Sequence, residues 1–164
     1  VRSEAQEAVA VSAGAHAAVR IDGTSPTEAA SRILDVAPDG IDHVVEVAFH
    51  SNVVTDELVL RQGGSIATYA TGDPSPTIPF WPLVFKNTSI HFLGSDDFTA
   101  SHKATAASDL SAALEAGWTG YSIGARYPLE GIAEAHEAVE RRSVPGRVVL
   151  DLSRASPSPV SATS

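Results

Sequence analysis

The chain has 164 residues, 43% of them apolar and 19% charged, with a net charge of −9. That is enough for one folded domain with a core and too little for two complete enzyme domains. Lys and Arg never cluster beyond the pair Arg141–Arg142, which argues against a nucleic-acid partner, and no apolar run approaches the roughly 20 residues of a membrane span. The absence of cysteine excludes disulfides and thiolate zinc sites and suits a cytoplasmic protein. With no methionine, even at position 1, the sequence reads as the C-terminal piece of a longer chain.

Ser3 and Gln6 have capping-box spacing, and a helix is predicted from there to Gly14. AAVRI (17–21) reads as a short strand. Ser25, Pro26 and Glu28 supply an N-cap, a first-turn proline and a capping partner for a helix to about Val36. Pro38-Asp39-Gly40 is a turn, and DHVVEVAF (42–49) follows as a β-branched strand. Asn52 is read as the cap of a helix through Gln62, stopped by Gly63-Gly64. SIATYA (65–70) and SIHFLG (89–94) are the next strands, separated by a proline-rich crossing with one helical turn at 82–86. Strand and helix thus alternate at intervals of about two dozen residues, as parallel strands with helical crossovers require. The apolar strands suggest cover on both faces, and the class is α/β, doubly wound.

After Phe98 the rhythm changes. A long Ala-rich helix is predicted over 99–116, then a strand near 122–126, a helix at 129–142 and the strand RVVLDL (147–152). The Ser/Pro-rich tail, 153–164, reads as disordered. GYSIG (120–124) fits the G-x-S-x-G signature of a nucleophile elbow, but an elbow needs a strand before the serine and a helix directly after it. Here a helix precedes and extended residues follow, so Ser122 reads as a turn or strand residue. The six histidines show no metal-ligand spacing. His136 shares a face of its helix with Leu129, Ile132, Ala133 and Val139, the pattern of a packed histidine. There is no G-x-G-x-x-G and no Walker A loop.

The run IDHVVEVAF, then Asn52 and a helix leading into GGSIATYA, then PFWPLVFKNTSIHFLGSDDF, then ARYPLEGIAEAHEAVERR and GRVVLDL, resembles the zinc-independent quinone reductases. These are the zeta-crystallin-like members of the medium-chain dehydrogenase/reductase superfamily. The resemblance covers the chain from VRSE to Leu152 and implies an incomplete fold, the C-terminal part of a Rossmann-type doubly wound sheet. Residues 1–117 would be the later half of an NADP(H)-binding domain, and 118–152 a segment returning to the substrate domain. The family's two central strands, which lie upstream, would separate 17–21 from the other three strands, so 17–21 is expected to be detached.

The resemblance implies NADPH as cofactor, a quinone or similar enone as substrate, no zinc, and a full-length enzyme that can be a homo-oligomer. By position, Arg2 and Ser3 would approach the adenosine ribose and its 2′-phosphate, the first acid in that segment being Glu4. Asn52 would face the cofactor, with Tyr69, Ala70, Thr71 and Gly72 after one strand and Leu93, Gly94 and Ser95 after the next. Where relatives often place a ring beside the adenosine, this chain has Ile21. No catalytic residue is assigned. The alternatives are a truncated non-enzymatic α/β module and a relative of the zinc-dependent alcohol dehydrogenases.

Overall fold

The computed structural model describes residues 1–118, 120–141 and 143–154, with Ser95 and Arg154 described by backbone alone. All but the first two residues of the expected disordered tail lie outside them. Contacts divide the chain into two compact units, Val1–Phe98 and Thr99–Ser164. This is a division of packing.

The first unit holds α1 (Glu4–Ser12), α2 (Pro26–Val36), β1 (Ile41–Glu46), α3 (Phe49–Val59), β2 (Leu60–Thr68), α4 (Phe80–Phe85) and β3 (Ser89–Phe92). The strands form one open sheet in the order β1-β2-β3, all parallel. Capping starts the first two helices. Ser3 Oγ accepts the Gln6 amide at 3.2 Å, and the Gln6 side chain accepts the Arg2 amide, one residue earlier than in a full capping box. Ser25 and Glu28 form the complete reciprocal box.

Three expectations need correction. Residues 17–21 are not a strand; they lie outside the sheet, with the Ile21 amide bonded to the Val1 carbonyl. Asn52 is the fourth residue of α3, not its cap: the N-cap is Ala48, without a side-chain bond. Gly63-Gly64 does not stop a helix, because α3 ends at Val59 and both glycines lie within β2. There Ile41 pairs with Leu60 and His43 with Ser65, so β2 bulges between. Gly63 takes φ 73°, and a Cβ on Gly64 would meet Leu60 Cδ2 at 2.8 Å. Glycine meets both demands of that bulge, the left-handed backbone at 63 and the close approach at 64.

The core sits on one face of the sheet. Phe49, Val53, Leu60, Ile66 and Leu83 form a buried cluster, with Val44, Ile78 and Ile90 packed against it. Val44, Ile66 and Ile90 lie in one register row. The next row, Val45, Ala67 and His91, faces the other way, and Val45 is 66% exposed. Cover on both faces is thus not provided by these residues. Lys86 reaches from the end of α4 to the buried Glu57 carboxylate at 3.1 Å and also bonds the Glu57 carbonyl. Asn87 follows with φ 52°, a left-handed turn that asparagine tolerates better than most side chains.

The second unit holds α5 (Ala100–Glu115), β4 (Ile123–Pro128), α6 (Ile132–Glu140) and β5 (Arg147–Asp151), with β4 and β5 paired in parallel. Thr99 caps α5 through the His102 amide, and no residue of α5 is buried. On α6 the buried residues are Ala135 and Ala138, while His136 is exposed, so the packed-histidine expectation fails. The signature around Ser122 has a structural cause. Strand β4 follows Ser122, and a Cβ on Gly124 would lie 1.9 Å from the Pro145 carbonyl oxygen. That glycine permits two backbones to approach, and no nucleophile elbow exists.

Candidate functional site

In an open parallel sheet, ligands bind beyond the carboxyl ends of the strands. Here register aligns Glu46, Thr68 and Phe92, the last residues of β1, β2 and β3, in one row. The segments leaving them are tied together by backbone bonds: Phe49 donates to Ala70 at 3.2 Å and Leu93 to Thr68 at 2.9 Å. They enclose a cleft of about 460 Å³. Its walls include Tyr69, Ala70, Thr71, Leu93 and Gly94, together with Phe49 and Phe92, whose rings meet edge to face at 5.8 Å. Phe49 is 1% exposed and Phe92 72%, so one ring belongs to the core and the other to the open wall.

The remaining candidates separate. The Gly72 amide is turned away onto His50 Nδ1, 2.9 Å distant. Ser95 opens a short 3-10 turn, Ser95–Asp97. Ser3 is occupied as the cap of α1 and lines neither the cleft nor the groove that follows.

Arg2 and Asn52, fifty residues apart in sequence, line a second groove of about 290 Å³ with Ile21 and Asp22. The Asn52 side-chain nitrogen donates to both Glu46 carboxylate oxygens at 3.1 Å, so its carbonyl oxygen is the acceptor left for the groove. Asp22, after Ile21, lines the same groove as Arg2, and among the described residues no salt bridge joins the two. A carboxylate there works against an anionic ligand, and the guanidinium works for one.

Behind Asn52 lies a buried acid pair that sequence reasoning missed. Glu46 and Asp56 are 5% and 6% exposed. Burial, then the Glu46 charge and a hydrogen bond to Glu46, push the Asp56 carboxyl up to about 7. Its Oδ2 has no hydrogen-bond partner. The signal was present in the i,i+4 spacing of Asn52 and Asp56 on one helix face, which the capping assignment concealed. Among the described residues no three His, Cys, Asp or Glu side chains come together to hold a metal ion. No helix there is long and apolar enough to cross a membrane.

Comparison with known proteins places this geometry. Quinone oxidoreductase of Lama guanicoe is 33% identical over 116 residues, 70% of this chain and 35% of its own. The Homo sapiens quinone oxidoreductase is 31% identical over 118 residues, with the same shares covered. The chain therefore spans about a third of the length of these curated relatives. Among solved structures, a mycobacterial protein complexed with NADPH superposes with a TM-score of 0.74 at 21% identity, over 92% of this chain and 47% of that one. A mycobacterial quinone oxidoreductase gives 0.78 at 20% identity, over 90% and 46%. At such identities the likeness establishes the fold, part of a Rossmann-type dehydrogenase domain. The family model described as zinc-binding dehydrogenase matches residues 13–150. With most of its length inside that match, the chain belongs to the zinc-binding dehydrogenase family, among the oxidoreductases of the medium-chain dehydrogenase/reductase superfamily.

Proposed function

We propose that these residues are the later half of the NADPH site of a quinone or enone reductase that works without zinc. Residues 1–117 would form the cofactor half and 118–152 a segment returning to the substrate domain. The observation that carries this reading is the largely apolar cleft of about 460 Å³ at the carboxyl ends of three parallel strands. Its volume falls in the usual range for small-molecule sites. The quinone oxidoreductases among the relatives, and the NADPH bound to a protein of like fold, support the same reading.

When bound, the reduced nicotinamide supplies the hydride. The chain's own residues bind and orient. The Phe92 ring, backed by the buried Phe49, and Leu93 present an apolar wall on which a flat ring can lie, while the Tyr69–Thr71 turn closes the adjoining side. Asn52, held by Glu46, offers an acceptor to a ribose hydroxyl, and Arg2 offers a forked donor to a 2′-phosphate. None of these groups exchanges a proton with substrate, so their work is placement and exclusion of water.

The test is hydride transfer by the full-length protein, followed as loss of reduced-cofactor absorbance with a quinone before and after dialysis against a zinc chelator. The reading expects turnover with NADPH that survives chelation. Loss of turnover that zinc restores would move the protein to the zinc-dependent alcohol dehydrogenases.

A further inference from the structure

His50 is the second residue of α3, directly after Phe49 of the cleft lining, and takes no part in the placement described above. Its Nδ1 lies 2.9 Å from the Gly72 nitrogen, and its Nε2 lies 2.8 Å from Ser51 Oγ. A backbone N–H can only donate, so Nδ1 bears a lone pair and the ring's single proton sits on Nε2, directed at Ser51. The ring also packs on Gly72 itself: a Cβ there would come within 2.7 Å of Cε1 and 3.1 Å of Nε2.

Residues 70–76 form one wall of the cleft through Ala70, Thr71, Pro74 and Pro76. Ala70 is held by the Phe49 amide. Beyond it the polar bonds are internal to the loop: Thr71 Oγ1 with both the Asp73 carbonyl and amide, and the Ser75 amide with Asp73 Oδ1. Among the described residues, the Gly72–His50 bond is the one hydrogen bond that joins 71–76 to another element.

We propose that the His50 imidazole is a latch that positions the 71–76 wall of the cleft and releases it when Nδ1 takes up a proton. Protonation puts a second N–H where the Gly72 amide needs an acceptor, so the bond becomes a clash of donors. The charged groups on the surrounding elements do not supply a substitute acceptor for that amide. Asp73 Oδ1 holds the Ser75 amide within the loop. Glu46, at the end of β1, is taken by Asn52 and the Ala48 amide. Asp56 and Glu57, further along α3, are buried, the first against Glu46 and the second on Lys86. The ligand part of this proposal rests on the NADPH reading; the loop part does not.

The experiment is amide NMR on the 15N-labelled chain between about pH 8 and about pH 5, the span in which an ordinary imidazole changes charge. The Gly72 amide is expected to shift in step with the His50 ring. Its exchange, corrected for the intrinsic pH dependence, should rise about five-fold, the value of one ordinary hydrogen bond. The Ile66 and Ala67 amides serve as the unchanged reference. His50→Asn, whose carbonyl oxygen stands near the place of Nδ1 and cannot be protonated there, should keep Gly72 protected at both ends of the range. His50→Ala should leave it unprotected at both. A wild-type Gly72 amide indifferent to pH while the reference amides stay protected overturns the latch without recourse to any variant. In the full-length protein, NADPH affinity should weaken by a few-fold over the same acidification and become flat in His50→Asn. A flat wild-type affinity beside a titrating Gly72 would overturn the link to ligand. Failure to bind NADPH at any pH would overturn the cofactor reading and leave the loop result standing.

Discussion

The two units have similar secondary structure and very different interiors. The first buries Phe49, Val53, Leu60, Ile66 and Leu83 in one cluster and carries both candidate grooves. The second, among its described residues, buries only Ala135 and Ala138. Burial of a large apolar side chain contributes about 1.5–3 kcal/mol, whereas an alanine methyl contributes under about 1 kcal/mol. A helix and two paired strands are therefore not by themselves a source of stability; side-chain volume behind them is.

This contrast can be broken by experiment, because each unit holds one of the two tryptophans, Trp81 and Trp118. Replacing either by Phe leaves a reporter for the other unit. The largest effect is expected from Phe49→Ala, which should cost about 3–5 kcal/mol in denaturant unfolding followed by Trp81, with little change at Trp118. Equal shifts at both reporters would mean that the units unfold as one.

Next comes pH. The Asp56 pKa in the folded unit lies above its unfolded value, so its contribution is fully present below about pH 4 and is lost as pH rises through about 7. The first unit should lose on the order of 2 kcal/mol of stability between about pH 5 and about pH 8. Asp56→Asn, which keeps a donor toward Glu46 and cannot ionise, should abolish that loss in urea titrations read at Trp81. A pH dependence that persists in the variant assigns it to another group.

Lys86→Ala should cost about 2 kcal/mol, because Glu57 is left buried without its cation, and thermal unfolding of the first unit measures it. Arg2→Ala in the full-length protein should weaken NADPH by roughly ten-fold or more and barely change NADH, a difference of about 1.4 kcal/mol by calorimetry. Equal loss for both cofactors would remove Arg2 from the phosphate. At the bottom of the scale stands Arg141→Ala in the second unit. Its partner Glu137 is 3.0 Å away and both are exposed, so less than about 0.5 kcal/mol is expected at Trp118.

Local chemistry determined much of this protein from its sequence. Ser25-Pro26-x-Glu28 sets the start of α2, Thr99 that of α5, and the spaced β-branched runs give three parallel strands, because caps and crossovers act between residues close in the chain. The turns Tyr69–Thr71 and Leu93–Gly94 were named through the family resemblance and not from local chemistry; the structure shows that they line one cleft. What failed depended on partners distant in sequence. Asn52 looked like a cap until Ala48 took that place and Glu46 took its amide. Gly63-Gly64 looked like a helix stop because nothing local shows that β2 must bulge past Ile41. AAVRI has the composition of a strand, but a strand forms only where a neighbouring strand can pair with it, and 17–21 pairs with the single residue Val1, whose amine donates to the Val19 carbonyl and whose carbonyl accepts the Ile21 amide. Arg2 and Asp22 in one groove, the buried Asp56 and Glu46 pair, and the His50 ring on Gly72 each join groups that the chain separates. Charge, burial and hydrogen-bond partners are properties of a place, and only the packed chain decides which residues share one.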